Sequence, residues 1–426
     1  MKNIVQTWNK MGLVTKIVIG LVIGIILGLV VPGATVVGLL GELFVGALRA
    51  VAPLLVFFLI MAALCHAQEG KKTNMGFIIF LYLLGNLLAA LCAVLANAIW
   101  PVTLQFSDAV AATDVSPPSD VGEVLTNLLT SIVSNPVASL VNANYLGLLV
   151  WACLLGIAFR KASDQMKHVL DDISNAITTV VQWIIQCAPF GIMGLVFTSI
   201  AEHGLEGLLS YGKLILVLVL TMAAVALIVN PIVAFCCMRR NPYPLVFMCL
   251  RDSFVTAFFT RSSAGNIPIN LDICRRLGLN EDTYSVSIPL GATINMAGAA
   301  VTISTMTLAA TDTLGIHVDF GTALVLCALA ALSAAGASGV AGGSLLLIPM
   351  ACSLFGIPSE ISMQVVGIGF IVGVIQDSCE TGLNSSTDVL YTACAEYRDR
   401  RLHPERYPKP AVDVSLAYQE EHPRGL

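Results

Sequence analysis

Polar residues near the end of the chain recur at helical spacing inside an apolar segment. Asp377, Thr381, Asn384 and Asp388 stand at i, i+4, i+7 and i+11, and Glu380 lies beside this row at i+3. On one helix these positions form a continuous stripe. Placing a charged side chain at the centre of a membrane costs a free energy of at least about 2.5–3.5 kcal/mol. The stripe must therefore face an aqueous cavity, a cation or a bound solute.

The alternative is that residues 361–394 form an ordinary polar helix outside a membrane. The run GIGFIVGVI at 367–375 directly precedes the stripe and contains no polar side chain. We therefore predict that 361–394 is a membrane helix.

The stripe suits the chemistry of a free amino acid, which carries an ammonium group and a carboxylate. Asp377 can hold the ammonium, while the amide of Asn384 and the N–H groups near Ser263 can hold the carboxylate. Unwound backbone carbonyls in membrane helices coordinate sodium. Asp388, with the carbonyls around the interruption at 291–295, would bind that ion.

Two other classes of protein could use such residues. An intramembrane enzyme would use Asp377 and Glu380 as an acid–base pair. Carboxylates at i and i+3, however, lie on the same side of a substrate, with no nucleophile or metal ligand opposite. A channel would need a continuous hydrated path and no closing segments. We predict a transporter and not an enzyme; sodium-driven accumulation of a solute would exclude a passive channel.

The composition requires a membrane for the elements that position these residues. Of 426 residues, 57% are hydrophobic and 12% are charged, against about 25% charged in soluble domains. The mean hydropathy is +0.84. A net charge of −5 without a basic stripe argues against a nucleic-acid partner. The 12 cysteines show no zinc spacing with histidine, and we interpret them as small buried apolar side chains.

Apolar runs of about 20 residues are long enough to span a bilayer. The candidate spans are 13–31, 43–65, 76–100, 144–160, 176–200, 213–238, 284–310 and 361–394. Two further runs, 243–274 and 322–355, are interrupted at their centres by Ser, Gly and Pro. The first span lacks a convincing cleavage site and others follow it, so we interpret it as a membrane helix and not as a signal peptide.

The charges of the connections alternate along the chain. Lys and Arg occur at 66–75, 160–175, 239–240, 275–276 and in the tail, whereas 101–121, 201–212 and 311–319 carry acidic residues without Lys or Arg. The positive-inside rule then places both termini in the cytoplasm. The alternation holds only if 243–274 and 322–355 each enter and leave on one side. We therefore predict two re-entrant hairpins, the first open to the cytoplasm and the second to the outside.

The predicted hairpin tips are TRSSAGN at 260–266 and SAAGASGVAGG at 333–343. Non-helical backbone at membrane depth persists only where it is buried in protein or lines a wet cavity. Small residues can also serve close helix packing, which is the alternative interpretation. Here two hairpins that enter the membrane from opposite sides carry such a break at corresponding places. Paired breaks of this kind indicate a transport site. Each hairpin precedes a helix that we expect to be interrupted, at 291–298 and at 376–388.

These motifs, with LGATINMAG at 290–298 and NSSTD at 384–388, resemble the dicarboxylate/amino acid:cation symporters, which include the glutamate transporters. The resemblance covers essentially the whole chain. It implies an all-α membrane protein with eight transmembrane helices plus two re-entrant helical hairpins, the elevator-type glutamate-transporter fold. It further implies a homotrimer in the bacterial inner membrane, surrounded by lipid, that imports small neutral amino acids such as serine and threonine with sodium.

The resemblance divides the chain into a static scaffold and a moving transport domain. The scaffold would comprise 1–75 and 101–238, which include a broken fourth span inside 101–143 and the fifth span. The transport side would comprise the third span at 76–100, the sixth span at 213–238 although it lies within 101–238, and the transport core 243–396. The core contains hairpin 243–274, helix 284–310, hairpin 322–355 and helix 361–394. Residues 397–426 would form a cytoplasmic tail, which we expect to be disordered because it is charged and contains proline.

The resemblance also assigns roles to single residues. The substrate would be held by Asp377 and the carbonyls of Arg261 and Val340 at its ammonium, and by Asn384, Thr381 and the N–H of Ser263 at its carboxylate. One sodium would be held by Asp388 with carbonyls of Gly291, Asn295 and Asn384, and a second by carbonyls of Thr293, Ala334, Ala335 and Ala337.

Some positions differ from the members with acidic substrates. Those members carry an arginine, a fork for carboxylates, where this chain has Glu380, and a threonine where it has Ala299. A glutamate repels acidic substrates, which favours a neutral one whose hydroxyl could donate to Glu380. Glu380 could instead pair with Arg261, or be protonated beside Asp377.

A third sodium site of those members needs an aspartate where this chain has Ala297, and Thr and Ser where it has Gly85 and Asn86. We therefore predict one or two coupled sodium ions. Protons in place of sodium are the alternative driving ion.

Overall fold

The computed structural model describes residues 11–65, 74–106, 133–142, 144–335 and 342–404. Regular structure in these ranges is helical, without a strand, which confirms the all-α prediction. Five of the described helices are long and apolar enough to cross a membrane, or six when the bent pair around Cys187 counts as one. The number of eight spans and two hairpins stays a prediction.

The described part of the first half of the chain contains eight α-helices. They are α1 (Leu13–Val30), α2 (Thr35–Cys65), α3 (Met75–Ile99), α4 (Pro136–Val141), α5 (Tyr145–Phe159), α6 (Asp164–Gln186), α7 (Ala188–Ala224) and α8 (Asn230–Met238). α7 has a non-helical residue at Gly204, and the π-helix Val225–Val229 joins it to α8. Residues 107–132, which make up most of the region predicted to contain the broken fourth span, lie outside the described residues. So do residues 66–73, part of a positively charged connection used in the topology prediction.

The span predicted over 176–200 is bent and not continuous. α6 and α7 meet at Cys187, and the first part of α7 turns away from α6 by 53°. Pro189 stands at the start of α7 and has no N–H to continue the hydrogen-bond ladder of α6, so the helix ends just before it. The span predicted over 176–200 therefore contains a bend beside its proline.

α1 and the start of α7 pack with their backbones in contact. A Cβ added to Gly20 would lie 2.1 Å from the carbonyl oxygen of Pro189, and one at Gly24 would lie 2.5 Å from that of Met193. Only residues without a side chain allow this approach. We call this contact, Gly20 and Gly24 against Pro189 and Met193, the glycine seam.

The described part of the second half also contains eight α-helices. They are α9 (Tyr243–Cys249), α10 (Val255–Thr260), α11 (Ser263–Arg276), α12 (Glu281–Ile294), α13 (Ala297–Thr313), α14 (Phe320–Ala334), α15 (Ile348–Ser353) and α16 (Ser359–Leu402). The π-helix Leu250–Phe254 joins α9 to α10, and the 3-10 helix Ser344–Leu347 precedes α15.

The run 243–274 folds back on itself. α10 ends where Arg261 adopts a left-handed backbone conformation, with φ of 52°. The Ser262 hydroxyl then caps α11 by accepting the N–H of Gly265 at 3.0 Å. α11 packs back along α10 and the π-helix, and all three contact α16. The turn at Arg261 and Ser262 is the first hairpin tip.

The two expected helix interruptions have different outcomes. Between α12 and α13, Asn295 and Met296 leave the helical conformation, so the chain is broken there. α16, in contrast, runs without a break for 44 residues through 376–388, and that prediction was wrong. Thr387 donates to the carbonyls of Leu383 and Asn384. The hydroxyl of Thr387 is thus satisfied by backbone of its own helix and requires no break there.

α16 occupies the centre of the second half. It contacts α3, α8, α13 and both arms of the hairpin at 243–276. Its C-terminal turns are ordered further than expected, since Arg400 bonds Glu396 at 2.6 Å and the carbonyl of Gly278 at 2.7 Å. The predicted disorder was therefore wrong for 397–402, while 405–426 lie outside the described residues.

Candidate functional site

Asp377 reaches the tip of the first hairpin. Its Oδ2 accepts a hydrogen bond from Nε of Arg261 at 2.7 Å, and its Oδ1 accepts one from the N–H of Gly342 at 3.3 Å. Both side chains of the ion pair are buried, 11% and 5% exposed. The role predicted for Arg261 involved only its carbonyl, whereas its guanidinium group binds one oxygen of the Asp377 carboxylate.

Glu380 points away from Arg261. Its Oε2 accepts hydrogen bonds from the hydroxyls of Thr302 at 2.7 Å and Ser344 at 2.9 Å, and from Nε2 of Gln376. The alternative in which Glu380 pairs with Arg261 was wrong, because the guanidinium binds Asp377 instead. Three converging donors hold this carboxylate oxygen between α13, α16 and the 3-10 helix.

Gln376 is a residue that the sequence analysis missed. Its Nε2 also donates to the hydroxyl of Thr302 at 2.8 Å, so the amide bridges α13 and α16. Its Oε1 is buried and has no hydrogen-bond partner among the described residues. The signal was an amide beside Asp377 and one turn before Glu380 in an otherwise apolar run.

Asn384 contacts the break between α12 and α13. Its Oδ1 accepts the N–H of Gly298 at 2.7 Å, and its Nδ2 lies 3.2 Å from the sulfur of Met296. Thr381 is buried one turn after Asp377, and its hydroxyl makes no hydrogen bond within the described part of the chain. Ser263 is buried at the first position of α11, where N–H groups lack helical partners. Val340 lies outside the described residues.

The first predicted sodium set comes together at the same break. Nδ2 of Asn295 donates to Oδ1 of Asp388 at 2.8 Å and to the carbonyl of Asn384 at 3.2 Å. Gly291 lies against this carboxylate, since a Cβ there would be 2.5 Å from Oδ1. Oδ2 of Asp388 is buried without a hydrogen-bond partner among the described residues. An ionised oxygen in that position is costly unless a cation compensates it.

The second predicted set is described only in part. Ala334 ends α14 and Ala335 follows it, whereas Ala337 lies outside the described residues. Thr293, one residue before the end of α12, donates its hydroxyl to the carbonyl of Leu290 at 2.7 Å. The structure therefore brings Ala334 and Ala335 to the end of the helix that leads into the second tip.

Asn86 of α3 fixes the broken backbone. Its Nδ2 donates to the carbonyl of Ile294 at 3.0 Å and to that of Ala331 at 3.5 Å, and its Oδ1 accepts the N–H of Met296 at 3.0 Å. One amide thus satisfies both ends of the break and connects it to α14. Asn86 was predicted only as a position where a cation ligand is lost, and this role in the break was not foreseen.

A buried polar cluster joins the hairpin to α16. The hydroxyl of Ser385 accepts hydrogen bonds from the amides of Asn266 at 2.8 Å and Asn270 at 3.0 Å. Ser253 lies beside it and donates its hydroxyl to Oδ1 of Asn270 at 2.6 Å. Ser253 belongs to the first arm, and the two asparagines belong to α11. The cluster therefore ties both arms to one turn of α16, directly after Asn384.

A cavity lies where α16 faces α1 and α7. Its polar lining consists of Arg261, Asp377 and Gln376, and its apolar lining includes Ile17 and Ile192. The space inside it is about 20 Å³, which is room for about one water molecule. The ion pair thus borders a small gap between α16 and the helices α1 and α7.

Broken backbone, a hairpin tip and buried carboxylates between membrane helices define the class of secondary transporters. Comparison with known proteins agrees, since the model of the sodium:dicarboxylate symporter family matches residues 13–397. The chain belongs to this family, as the motifs predicted.

Several relatives are similar over almost their whole length. Serine/threonine transporters of Streptococcus agalactiae, serotypes III and Ia, are each 60% identical over 396 residues, which are 93% of this chain and 98% of the relative. A serine/threonine transporter of Streptococcus thermophilus is 58% identical over the same shares of both chains.

Proposed function

We propose that this protein is a sodium-coupled symporter that imports serine, threonine and other small neutral amino acids across the bacterial inner membrane. The observation that carries the proposal is the buried Oδ2 of Asp388, which lies beside the broken backbone of α12 and α13 and has no hydrogen-bond partner among the described residues. The family's description supports sodium coupling, and the names of the relatives support the substrate.

One sodium ion binds to oxygens around the break. Asp388 supplies a carboxylate, and Gly291, Asn295 and Asn384 supply carbonyls, which together are the hard ligands that such an ion prefers. A second ion binds to carbonyls of Thr293, Ala334, Ala335 and Ala337. Binding there would connect the broken helix to the second hairpin.

The substrate binds between the hairpin tips and α16. Its ammonium replaces the Arg261 guanidinium at Asp377 and contacts the carbonyls of Arg261 and Val340. Its carboxylate is held by Asn384, Thr381 and the N–H of Ser263. Glu380 lies one turn from Asp377, and its negative charge opposes an acidic side chain on the substrate.

The architecture follows from the same family. Eight membrane helices and two re-entrant hairpins make up the fold, and both termini lie in the cytoplasm. These elements form a scaffold and a transport domain, and the transport domain includes 243–396. Three copies assemble into a homotrimer in the lipid bilayer. The close packing of α3 against α13 and α14 supports its place on the transport side.

Reconstituted protein tests the proposed function directly. Proteoliposomes with an inward sodium gradient should accumulate labelled serine above equilibrium, and a sodium ionophore should abolish the accumulation. Unlabelled threonine should compete strongly and aspartate weakly. Uptake driven by a proton gradient in the absence of sodium would refute the sodium coupling.

The sodium site has its own test. Asp388→Asn removes the charge that compensates the ion, so the sodium stimulation of serine uptake should be lost. Asp319→Asn is the control, because Asp319 only caps α14 by accepting the N–H of Gly321 at 2.8 Å. An unchanged sodium dependence in Asp388→Asn would contradict the assignment.

A further inference from the structure

Gln376 has an orientation that leaves one strong acceptor without a donor. The residue is 1% exposed. Its Nε2 donates to Thr302 and Glu380, so its Oε1 points away from both. That oxygen is buried and accepts no hydrogen bond from the described residues. Leaving a buried acceptor unsatisfied is unfavourable, so the site needs a donor from outside the described chain.

The amide orientation follows from the hydrogen bonds of its neighbours. Oε2 of Glu380 is an acceptor that already receives the hydroxyls of Thr302 and Ser344. Turning the amide would set two acceptor oxygens against one another, whereas the present orientation supplies a third donor to Glu380. Oε1 is therefore the atom of Gln376 that remains available.

The position of Gln376 relates this acceptor to the substrate. Gln376 precedes Asp377 on α16, and both line the cavity between α16, α1 and α7. An amino acid whose ammonium lies at Asp377 extends its side chain only a few atoms from that carboxylate. Serine and threonine carry a hydroxyl there, which can donate, while alanine has no donor.

We propose that Gln376 determines specificity by accepting, at its Oε1, the hydrogen bond of the substrate's β-hydroxyl. The inference rests on the proposed function and deepens it. It also changes the expected role of Glu380. Its Oε2 already accepts three hydrogen bonds, so this oxygen orients the Gln376 amide and does not bind the hydroxyl. Sites that hydrogen-bond a substrate hydroxyl discriminate strongly against analogues that lack it.

Competition against labelled serine in proteoliposomes tests the proposal. Replacement of the amide in Gln376→Met keeps the length of the side chain but removes the acceptor. The inhibition constants of serine and threonine should rise about tenfold, which corresponds to one lost hydrogen bond, while that of alanine should change less than twofold. Ser378→Ala is the matched control on α16, because that hydroxyl bonds only the carbonyl of Val374 at 2.8 Å.

A second variant guards against a folding defect. Gln376→Asn keeps a polar amide but withdraws the carbonyl by one methylene, so it should also lower the preference for serine over alanine. An equal change for all three amino acids would assign Gln376 a packing role and overturn the proposal, as would no change at all. If the unmodified protein takes up no serine with sodium, the proposed function itself fails. Normal wild-type uptake with an unchanged serine-to-alanine ratio in the variants refutes this inference alone.

Discussion

At the scale of single residues, Arg261 and Asp377 form a buried ion pair at the position that we assign to the substrate ammonium. In the proposed binding mode, the substrate ammonium competes with the Arg261 guanidinium for this carboxylate. Binding would then exchange one cation for another, and the Asp377 charge would stay compensated in both states. Removing one partner of a buried pair costs about 3–5 kcal/mol, because the other charge is left unpaired.

The exchange predicts a specific effect of Arg261→Met. The empty variant should be less stable than the wild type, and serine should restore part of the loss because its ammonium pairs with Asp377. The increase in melting temperature caused by serine should thus be larger in the variant, as measured in detergent. Arg275→Met, at a side chain that is 72% exposed, should keep the wild-type increase. Equal serine effects in all three proteins would contradict the exchange.

Two neighbouring serines offer a matched pair of substitutions. Ser385→Ala removes two buried hydrogen bonds, those from the amides of Asn266 and Asn270, and should lower stability by about 1–3 kcal/mol. Ser386→Ala removes a hydroxyl that bonds only the carbonyl of Leu383, at 3.1 Å, and should cost much less. Thermal unfolding in detergent measures both; similar losses would mean that the cluster does not hold the hairpin.

Helical spacing in the sequence indicated the candidate site residues that lie on one element, whereas pairings between elements were not visible in it. Asp377, Asn384 and Asp388 were visible because helical spacing places them on one stripe. The Arg261–Asp377 pair joins residues 116 positions apart, and Asn86 meets Ile294 across 208 positions. Neither pairing leaves a trace in local spacing, so each required the folded chain.

At the scale of elements, the start of α13 is packed directly on α16. A Cβ at Gly298 would lie 2.8 Å from the Cα of Glu380. The N–H of Gly298 also donates to Asn384 at 2.7 Å. The broken helix and the polar stripe are therefore held at a fixed distance by a residue without a side chain.

Gly298→Ala should push α13 away from α16, because the obstacle is backbone and cannot rotate aside. We expect a lower melting temperature and loss of most serine uptake. Gly76→Ala is the control, since a Cβ there meets nothing within 4 Å and alanine favours the helix. The close approach would be refuted by full uptake in Gly298→Ala.

Breaks and bends were harder to predict than the presence of helices. Gly and Asn at 291–298 correctly indicated the break between α12 and α13. The same cue failed at 376–388, where α16 stays helical and the hydroxyl of Thr387 donates to carbonyls of its own helix. At 176–200, hydropathy predicted a span but gave no angle for the bend of 53° beside Pro189. Composition predicts that a segment is buried, but the local hydrogen bonds decide whether it stays straight.

At the scale of the whole molecule, three positions bear on the number of coupled ions. A Cβ at Gly85 would lie 2.7 Å from the Tyr391 ring, Ala297 is fully buried, and the Asn86 amide nitrogen donates to the broken backbone. None of these groups offers a cation a side-chain oxygen that is not already bonded.

We therefore expect one or two sodium ions for each serine. With a neutral zwitterion, each ion carries one net charge inward, and the membrane potential contributes about 2.3 kcal/mol per charge per 100 mV. The flux ratio of sodium to serine, with the reversal potential of uptake in proteoliposomes, measures this number. A ratio of three would contradict the expectation.

The glycine seam restricts which parts of the molecule can change place during a transport cycle. Where two helices touch backbone to backbone, a sliding step would drive carbonyl oxygens into neighbouring atoms, and no side chain is available to rotate out of the way. α1 and the first part of α7 therefore behave as one rigid unit, whether that unit moves or stays fixed. Relative motion between helices has to occur elsewhere. The cavity that borders Asp377, Ile17 and Ile192 separates this unit from α16.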